Sequence, residues 1–205
     1  MGLEANCTAR FGKKSAAGLA RLEEKELYFR SASGGLRLKI PFAQIKSAQA
    51  RRGVLTVQWT EGQTAFELGA AAEKWALKIR CPRSRIEKLG IKPDSLVSVL
   101  DIDDKSFWKE IEGRAGKISD GKAAGGSDVI LLGIQDQSGL QPLRALQKSI
   151  RPAGAIWVVW PKGQPHIKED HVRAAALAVG LVDVKVMSFS ATHSALKLMI
   201  PRARR

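Results

Sequence analysis

The chain has 205 residues, of which 44% are hydrophobic and 26% charged, and its formal net charge is +14. This composition is close to ordinary globular usage and excludes a fibrous or disordered chain. The longest apolar runs, Val129–Leu132 and Ala155–Trp160, are too short to cross a bilayer. The N-terminal stretch around Glu4 lacks a secretory pattern, and Cys7 and Cys81 lack the spacing of a metal site or disulfide framework. We therefore expect a cytoplasmic protein with free thiols and no membrane span.

The positive charge is spread over the whole chain. Residues 1–86 contain 16 Lys and Arg against 7 Asp and Glu, and residues 87–205 contain 18 against 13. Such an excess attracts phosphate backbones and anionic surfaces, but it also favours solubility. The basic clusters at Arg80–Arg85 and Arg202–Arg205 are short. Nucleic-acid binding is therefore an alternative to, and not part of, our main interpretation.

Residues 17–68 alternate between apolar and polar positions in short segments, which is typical of β-strands. Turns are predicted at Ser33-Gly34-Gly35, Arg52-Gly53 and Glu61-Gly62. The apolar spacing then changes to i, i+3, i+4 and i+7, which predicts one amphipathic helix. The residues predicted to face the core are Leu27, Phe29, Leu36, Leu38, Ile40, Leu55, Val57 and Trp59 in the strands and Ala72, Trp75, Ala76 and Ile79 in the helix. We expect residues 14–81 to form an antiparallel β domain capped by this helix.

This order of elements resembles the pleckstrin-homology-like fold. The segments that carry the resemblance are Gly18-Leu19, Glu26–Phe29, Ile40-Pro41-Phe42 with Ile45, Leu55–Trp59, and Phe66-Glu67-Leu68 before the helix. Domains of this type include lipid-headgroup binders and protein-docking modules, so the resemblance implies a binding function. Arg51 and Arg52 lie at a predicted turn and are our candidate anion-binding residues; the alternative is a solvated basic turn.

The segment after the predicted helix is polar and contains Pro82, which predicts a domain boundary near Arg85. Strands and helices alternate in the second domain, residues 87–205. The predicted strands are Leu96–Ile102, Asp128–Ile134, Ala155–Trp160, Asp183–Phe189 and Ala195–Ile200; the predicted helices begin near Lys105 and cover Leu140–Ile150 and Val172–Val179. This alternation predicts a Rossmann-like α/β domain with a mostly parallel sheet. The connection between the last two strands is too short for a parallel crossover, so they form a terminal antiparallel hairpin.

The second domain resembles the class I S-adenosylmethionine (SAM) methyltransferase fold. The segments that carry this resemblance are Leu89–Pro93 before Val97–Ile102, Ser127–Leu132, and Ile150–Gly154 before Ala155–Val159. A narrower resemblance, to a small bacterial family of unknown function, is carried by Trp157–Lys162, Gly180–Val186 and Ser194–Lys197. It covers residues 87–201 and implies no known activity.

Two departures from the methyltransferase pattern argue against a standard cofactor site. Glycines are needed after the first strand so that the backbone can approach the cofactor, but no glycine occurs between Asp101 and Gly113. Only 26 residues separate Asp101 from Asp128, whereas one βαβ unit takes about 30. At most one further strand fits in this interval, at Lys117–Asp120. We therefore expect no cofactor, SAM included.

The carboxyl ends of parallel strands are the usual ligand-binding edge of such a sheet. The residues predicted at this edge are Asp101, Asp103, Asp104, Gln135, Asp136, Trp160 and Lys162. The three carboxylates after the first strand are suited either to a divalent cation or to the start of a helix, and we favour the helix start. His166, His171 and His193 have no Glu or Cys at metal-ligand spacing. The sequence thus predicts no metal site and no catalytic residues.

Our main hypothesis is a non-catalytic binding or docking protein whose partner, a protein or an anionic ligand, is unknown. One alternative is a small-molecule or nucleotide-dependent enzyme, such as a methyltransferase, with a non-standard site at the strand ends. Another is electrostatic binding of nucleic acid.

Overall fold

The computed structural model describes residues 2–205, which form two compact units. One ends at Arg83 and the other spans Ser84–Arg205. The first unit contains seven strands and one helix: β1 (Leu3–Phe11), β2 (Lys14–Leu22), β3 (Glu26–Ser31), β4 (Arg37–Pro41), β5 (Ile45–Arg51), β6 (Val54–Trp59), β7 (Gly62–Glu67) and α1 (Ala71–Arg80). The strands form one curled antiparallel sheet in the order β4-β3-β2-β1-β7-β6-β5. Helix α1 packs on β5 and β6. The predicted fold class of this unit is confirmed.

The core of the N-terminal unit consists of the apolar residues that the alternation predicted. All eight predicted strand positions and all four helix positions are buried, including Phe29, Trp59 and Trp75. Phe29 meets Phe66 edge-on, with ring centroids 6.1 Å apart. The indole of Trp59 donates a hydrogen bond to the buried hydroxyl of Thr64 at 3.1 Å. The core is therefore formed by one face of each strand and the apolar stripe of α1.

Strand β1 was not predicted from the sequence. Residues 3–11 alternate strictly between apolar and polar, with the small residues Cys7 and Ala9 buried, so this segment carries the pattern of a strand. It pairs with β2 along its whole length, from Leu3 opposite Leu22 to Phe11 opposite Lys14, and with β7 on its other side. The N-terminal sheet therefore begins upstream of residue 14. Another difference is at Gly62, which is the first residue of β7, so that the preceding turn is formed by Thr60 and Glu61.

The second unit contains six strands and four helices. They are α2 (Arg85–Leu89), β8 (Leu96–Leu100), α3 (Lys105–Ile111), β9 (Lys117–Asp120), β10 (Ser127–Gly133), α4 (Leu143–Ser149), β11 (Ile150–Pro161), α5 (Glu169–Ala178), β12 (Val182–Ser188) and β13 (His193–Met199). The sheet order is β12-β13-β11-β10-β8-β9. Strands β8 to β11 are parallel, and β13 and β12 add an antiparallel hairpin. The predicted α/β class with its terminal hairpin is confirmed.

Two apolar clusters lie on the two faces of this sheet. One contains Leu143 and Leu146 of α4 and Val172 of α5, together with Trp160. The other contains residues of α2 and α3, and Trp157 at its centre. The Trp157 indole donates a hydrogen bond to the Leu89 carbonyl at 3.0 Å, which fixes the end of α2 on the sheet.

The interval between Asp101 and Asp128 holds α3 and the single short strand β9, as its length predicted. The predicted helix over Leu140–Ile150 is shorter in the structure. Residues Gln137–Leu140 form a separate 3-10 turn, α4 begins at Leu143, and Ile150 already starts β11. Pro142 stands at the N-cap of α4, where its missing N–H costs no intrahelical hydrogen bond. No helix within residues 2–205 is long and apolar enough to cross a membrane.

We expect a fragment of residues 2–83 to fold alone and a fragment of residues 14–83 to remain unfolded. The shorter fragment lacks β1, which lies between β2 and β7 and is a central strand of the sheet. Circular dichroism melts of the two fragments, and of residues 84–205, measure this directly. Cooperative melting of 14–83 would show that β1 is dispensable, and failure of both 2–83 and 84–205 to fold would contradict a two-domain protein.

Candidate functional site

The residues predicted at the strand-end edge follow three neighbouring parallel strands. Asp101, Asp103 and Asp104 follow β8, and Gln135 and Asp136 follow β10. Trp160 and Lys162 lie at the end of β11 and just beyond it. Since these strands are adjacent in the order β8-β10-β11, the residues occupy one edge of the sheet.

The backbone after β8 packs directly against the end of β10. Asp101 adopts a left-handed conformation with φ of 54°, and its carbonyl oxygen lies where a Cβ on Gly133 would be. Only glycine at position 133 allows this approach. The close backbone contact at this edge is therefore made between Asp101 and Gly133, and not between the chain and a ligand. Glycines were expected directly after β8, whereas the glycine that matters here lies at the end of β10.

Asp104 is the N-cap of α3. Its Oδ1 accepts hydrogen bonds from the Phe107 N–H at 3.0 Å and the Ser106 hydroxyl at 2.7 Å, and its Oδ2 accepts one from Arg85 at 2.7 Å. Burial alone would raise the pKa of Asp104, but the hydrogen bonds from Ser106, Phe107 and Arg85 outweigh it and lower the pKa to about 2. This carboxylate is ionised and fully used by its own helix and by Arg85, in agreement with the favoured helix-start interpretation.

Arg85 is the centre of this network, although its sequence context predicted only a basic cluster. Its side chain is 11% exposed, and its guanidinium makes a two-point contact with Glu110, at 3.1 and 2.9 Å. It also donates to the Phe189 carbonyl at 3.3 Å. Its Cζ atom lies 5.3 Å from the ring centroid of Phe107 and 4.9 Å from that of Phe189, which are cation–π distances. Burial alone would lower the pKa of Arg85, but the bonds to Glu110 and Asp104 raise it.

A local sequence motif predicts that a helix begins at Arg85, but it does not predict the acceptors of the Arg85 guanidinium. Ser84 and Glu87 form a capping box: the Ser84 hydroxyl accepts from the Glu87 N–H, and the Glu87 carboxylate accepts from the Ser84 N–H. Arg85 is therefore the first residue of α2. Its acceptors Glu110 and Phe189 are far away in the chain, so no spacing rule could predict them.

Of the remaining predicted residues of the edge, Asp136, Trp160 and Lys162 are also engaged by neighbouring groups, whereas the side chains of Asp101, Asp103 and Gln135 have no hydrogen bond within residues 2–205. Asp136 caps the 3-10 turn, and hydrogen bonds from Ser138 lower the pKa of this carboxylate. Trp160 is 4% exposed and belongs to the core. Lys162 Nζ donates to the Ser188 hydroxyl and Ser190 carbonyl at 2.7 Å and to the Ala191 carbonyl at 3.2 Å. Lys162 thus fastens the turn between β12 and β13.

An open recess of about 470 Å³ lies beside Trp160 and Lys162. It is bordered by Gly163, Ile167 and Ser194 and belongs to the same edge. Among residues 2–205, no three His, Cys, Asp or Glu side chains are placed to hold a metal ion. The three aspartates after β8 therefore do not form such a group in this structure.

Arg51 and Arg52 lie at the tip of the β5–β6 hairpin. Arg51 is the last residue of β5 and pairs with Val54, while Arg52 and Gly53 adopt the left-handed conformations of the turn. Both arginines are exposed. Neither side chain has an ion pair within the described part of the chain. Both guanidinium groups are therefore accessible, which is compatible with anion binding and also with a solvated basic turn.

Two further concave surfaces were not predicted. One is a groove of about 900 Å³ on the solvent face of β2, β3 and β4, lined by several basic residues and Tyr28. The other is a recess of about 270 Å³ at the amino ends of the parallel strands, opposite the predicted edge. The groove is formed by three consecutive strands. The recess is assembled from segments that are distant in sequence, so it left no local motif.

The C-terminal unit is a Rossmann-like α/β domain with a terminal antiparallel hairpin. At the carboxyl ends of its parallel strands, where ligands usually bind, Asp104 and Lys162 are hydrogen-bonded to the chain itself. The chain belongs to the family described as Protein of unknown function (DUF3052), whose model matches residues 86–202. This agrees with the predicted resemblance to a family without known activity.

Solved structures similar to this chain include several methyltransferases. A SAM-dependent O-methyltransferase from Thermotoga maritima is 6% identical over 87% of this chain and 94% of its own, with a TM-score of 0.43. A TehB-like SAM-dependent methyltransferase from Corynebacterium glutamicum is 12% identical over 63% and 96%, with a TM-score of 0.39. A ribosomal protein L11 methylase from Lactobacillus delbrueckii subsp. bulgaricus is 15% identical over 58% and 75%, with a TM-score of 0.40. We draw no conclusion about activity from likenesses at this level. The comparison with curated proteins gives no match.

We expect Asp104→Asn to lower the free energy of unfolding at pH 7 by roughly 1.5–3 kcal/mol, the range for hydrogen bonds to charged groups. The folded pKa of about 2 lies below the unfolded value of about 3.9. The stability that this charge contributes is therefore complete above about pH 5 and is lost as the pH falls towards 2. The variant should show a smaller decrease in Tm over this pH range than the parent.

Thermal melts between pH 7 and pH 2 measure both effects. Asp103→Asn is the matched control, because Asp103 is exposed and its side chain has no hydrogen-bond partner within residues 2–205. Equal losses of stability in the two variants would show that the network around Arg85 does not stabilise the fold.

Proposed function

We propose that the protein is a non-catalytic docking protein whose C-terminal unit has a methyltransferase-like fold without a working cofactor site. The observation that carries this proposal is the direct packing of the Asp101 carbonyl against Gly133. In an open α/β sheet this is where the backbone would have to leave room for a ligand. The Arg85 network supports the same conclusion, because it holds the loop after β8 on the protein and uses the charge of Asp104.

The short interval between β8 and β10 also supports the proposal. Beyond β8 the sheet has only the four-residue strand β9. A bound nucleoside would find little of the sheet on which such a group normally rests. A closed loop and a shortened sheet are independent defects, and both would need to be compensated before SAM could bind in the usual way.

In this proposal the N-terminal unit supplies the docking surface. Seven antiparallel strands followed by one C-terminal helix support the pleckstrin-homology-like interpretation. The partner is a protein or an anionic ligand, as the positive charge suggests. A reducing, cytoplasmic location is part of the proposal, and it is supported by the free thiols of Cys7 and Cys81.

Calorimetric titration of the full chain with SAM at millimolar concentration tests this proposal. We expect no saturable heat, because the loop after β8 carries carboxylates that repel the carboxylate of the ligand and lies against Gly133. A dissociation constant in the low micromolar range that is lost in Asp103→Ala, and retained in the exposed control Asp170→Ala on α5, would contradict the proposal. It would support the alternative of an enzyme with a non-standard site.

A second candidate function, electrostatic binding of nucleic acid, is favoured by the groove on the solvent face of β2–β4. Arg30 and Arg37 lie directly opposite each other on β3 and β4. Neither has an ion pair with any described residue, although like charges at this position weaken a sheet. A bound phosphate chain would neutralise both guanidinium groups.

Tyr28 and its two cross-strand neighbours also line the groove, but the two cations there have carboxylate partners. Tyr28 lies between Arg21 and Lys39 in register, and the Lys39 ammonium is 5.7 Å from the tyrosine ring centroid. Arg21 and Lys39 are paired with Glu4 and Glu26, at 2.8 and 3.4 Å. Their charges are therefore partly compensated, and the uncompensated charge of the groove is concentrated at Arg30 and Arg37.

We expect a labelled single-stranded RNA oligonucleotide to bind at low salt, and the double variant Arg30→Ala/Arg37→Ala to weaken this binding. Removing two phosphate contacts should reduce the slope of log K against log salt by about 1.4. The double variant Lys13→Ala/Lys14→Ala is the control, because it removes the same charge from the exposed turn between β1 and β2, outside the groove. Fluorescence anisotropy at several salt concentrations measures both. Equal weakening would indicate net charge alone, and no binding at low salt would exclude this function.

A further inference from the structure

The amino ends of the parallel strands surround a recess that lies at the opposite edge of the C-terminal sheet from the predicted site. Its walls come from the segment between α2 and β8, from the beginnings of β10 and β11, and from β13. Its volume is about 270 Å³. The charged residues that line it are Lys92, Asp94, Asp128, Arg151 and Lys197.

One ion pair in the recess is complete. Asp128 accepts the backbone N–H of Leu96 at 2.8 Å through one oxygen and the guanidinium of Arg151 at 2.7 Å through the other. The close passage of β11 is permitted by Gly154, where a Cβ would lie 2.8 Å from the Ser127 carbonyl oxygen. Asp128 and Arg151 therefore neutralise each other and form a fixed part of the wall.

Lys197 is different, because it is a half-buried cation surrounded by cations. It lies on β13, opposite Trp157 of β11 on one side and Lys185 of β12 on the other. Burial, and then the charges of Lys185 and Arg205, lower the pKa of its ammonium group. No carboxylate within residues 2–205 forms an ion pair with it.

Lys92 adds a second positive charge without an ion pair in the described chain, and it lies on the segment that covers the recess. Once Asp128 and Arg151 are set aside, only the exposed Asp94 opposes Lys92 and Lys197. Burial of a cation without a counter-charge is costly, and an uncharged residue on β13 would avoid that cost. The recess therefore has an excess of positive charge that an anion would compensate.

We propose that this recess binds a small phosphate-type oxyanion, with Lys197 as the main cation and Lys92 at its rim. A tetrahedral oxyanion has enough acceptor oxygens to meet several separate donors at once, and lysine is a common phosphate ligand. Ligand pockets for larger molecules begin at about 300 Å³, so the recess is suited to inorganic phosphate or to the phosphate group of a small molecule. This site is independent of the docking proposal, which rests on the other edge of the sheet.

The test is calorimetric titration of the full chain with inorganic phosphate, against chloride at matched ionic strength. We expect saturable binding of one phosphate per chain, at least tenfold weaker in Lys197→Met. The matched control is Lys122→Met, which removes an exposed lysine beyond β9 at the opposite edge. The Lys197→Met variant should keep its fold and an equal or higher Tm, because it removes a half-buried charge from between two cations.

A second variant, Lys92→Met, removes an exposed lysine of the rim and keeps the proposal testable should Lys197→Met fail to fold. A parallel titration with glycerol phosphate distinguishes the two sources of the anion: tighter binding than inorganic phosphate indicates a phosphorylated small molecule, and equal binding indicates free phosphate. Absence of saturable phosphate binding would overturn the proposal. Equal weakening by the Lys122 control would overturn it as well, since the effect would then be one of net charge.

Discussion

Arg85 is the residue on which the arrangement of the C-terminal unit depends most. An arginine side chain that is only 11% exposed needs acceptors for its guanidinium, and here they come from two segments. Asp104 and Glu110 lie at the start of α3 and further along it, and the Phe189 carbonyl lies after β12. Removing the cation would leave two carboxylates close together without a counter-charge, and such a loss usually costs far more than a surface ion pair. Through this one side chain, α2, α3 and the end of β12 are fixed relative to one another.

The same principle distinguishes the two edges of the sheet. At the carboxyl edge, Asp104 and Lys162 have their hydrogen-bonding capacity met by the chain itself, so a ligand there would compete with existing bonds. At the amino edge, neither Lys197 nor Lys92 has an ion pair within residues 2–205. Charges that are already paired stabilise the fold. A cation that is partly buried or close to other cations is unfavourable by itself, so an anionic ligand that neutralises it would bind favourably. Binding at the edge away from the usual one follows from this electrostatic asymmetry.

The N-terminal unit shows the same contrast on its solvent face. Arg21 and Lys39 are paired with glutamates, and Arg10 is paired with Glu67. Arg30 and Arg37 face each other without such compensation. Strand β1 joins β2 to β7 at the middle of the sheet, so its pairing connects the two halves of this face.

The sequence alone determined the elements whose signal is local. The alternation that buries Phe29 and Trp59, the helical spacing of Trp75 and Ile79, and the short interval that admits only β9 are all properties of neighbouring residues or of chain length, and each is confirmed. Strand β1 carries the same alternation over residues 3–11 and was predictable from it, although its buried residues Cys7 and Ala9 are small. The partners of Arg85, the contact between Asp101 and Gly133, and the cations around Lys197 were decided only by the tertiary structure. These contacts join residues that are far apart in the chain, and the residues meet only when strand order and register are set. An ion pair or a backbone contact depends on distance in space. It therefore produces no periodic pattern in the sequence.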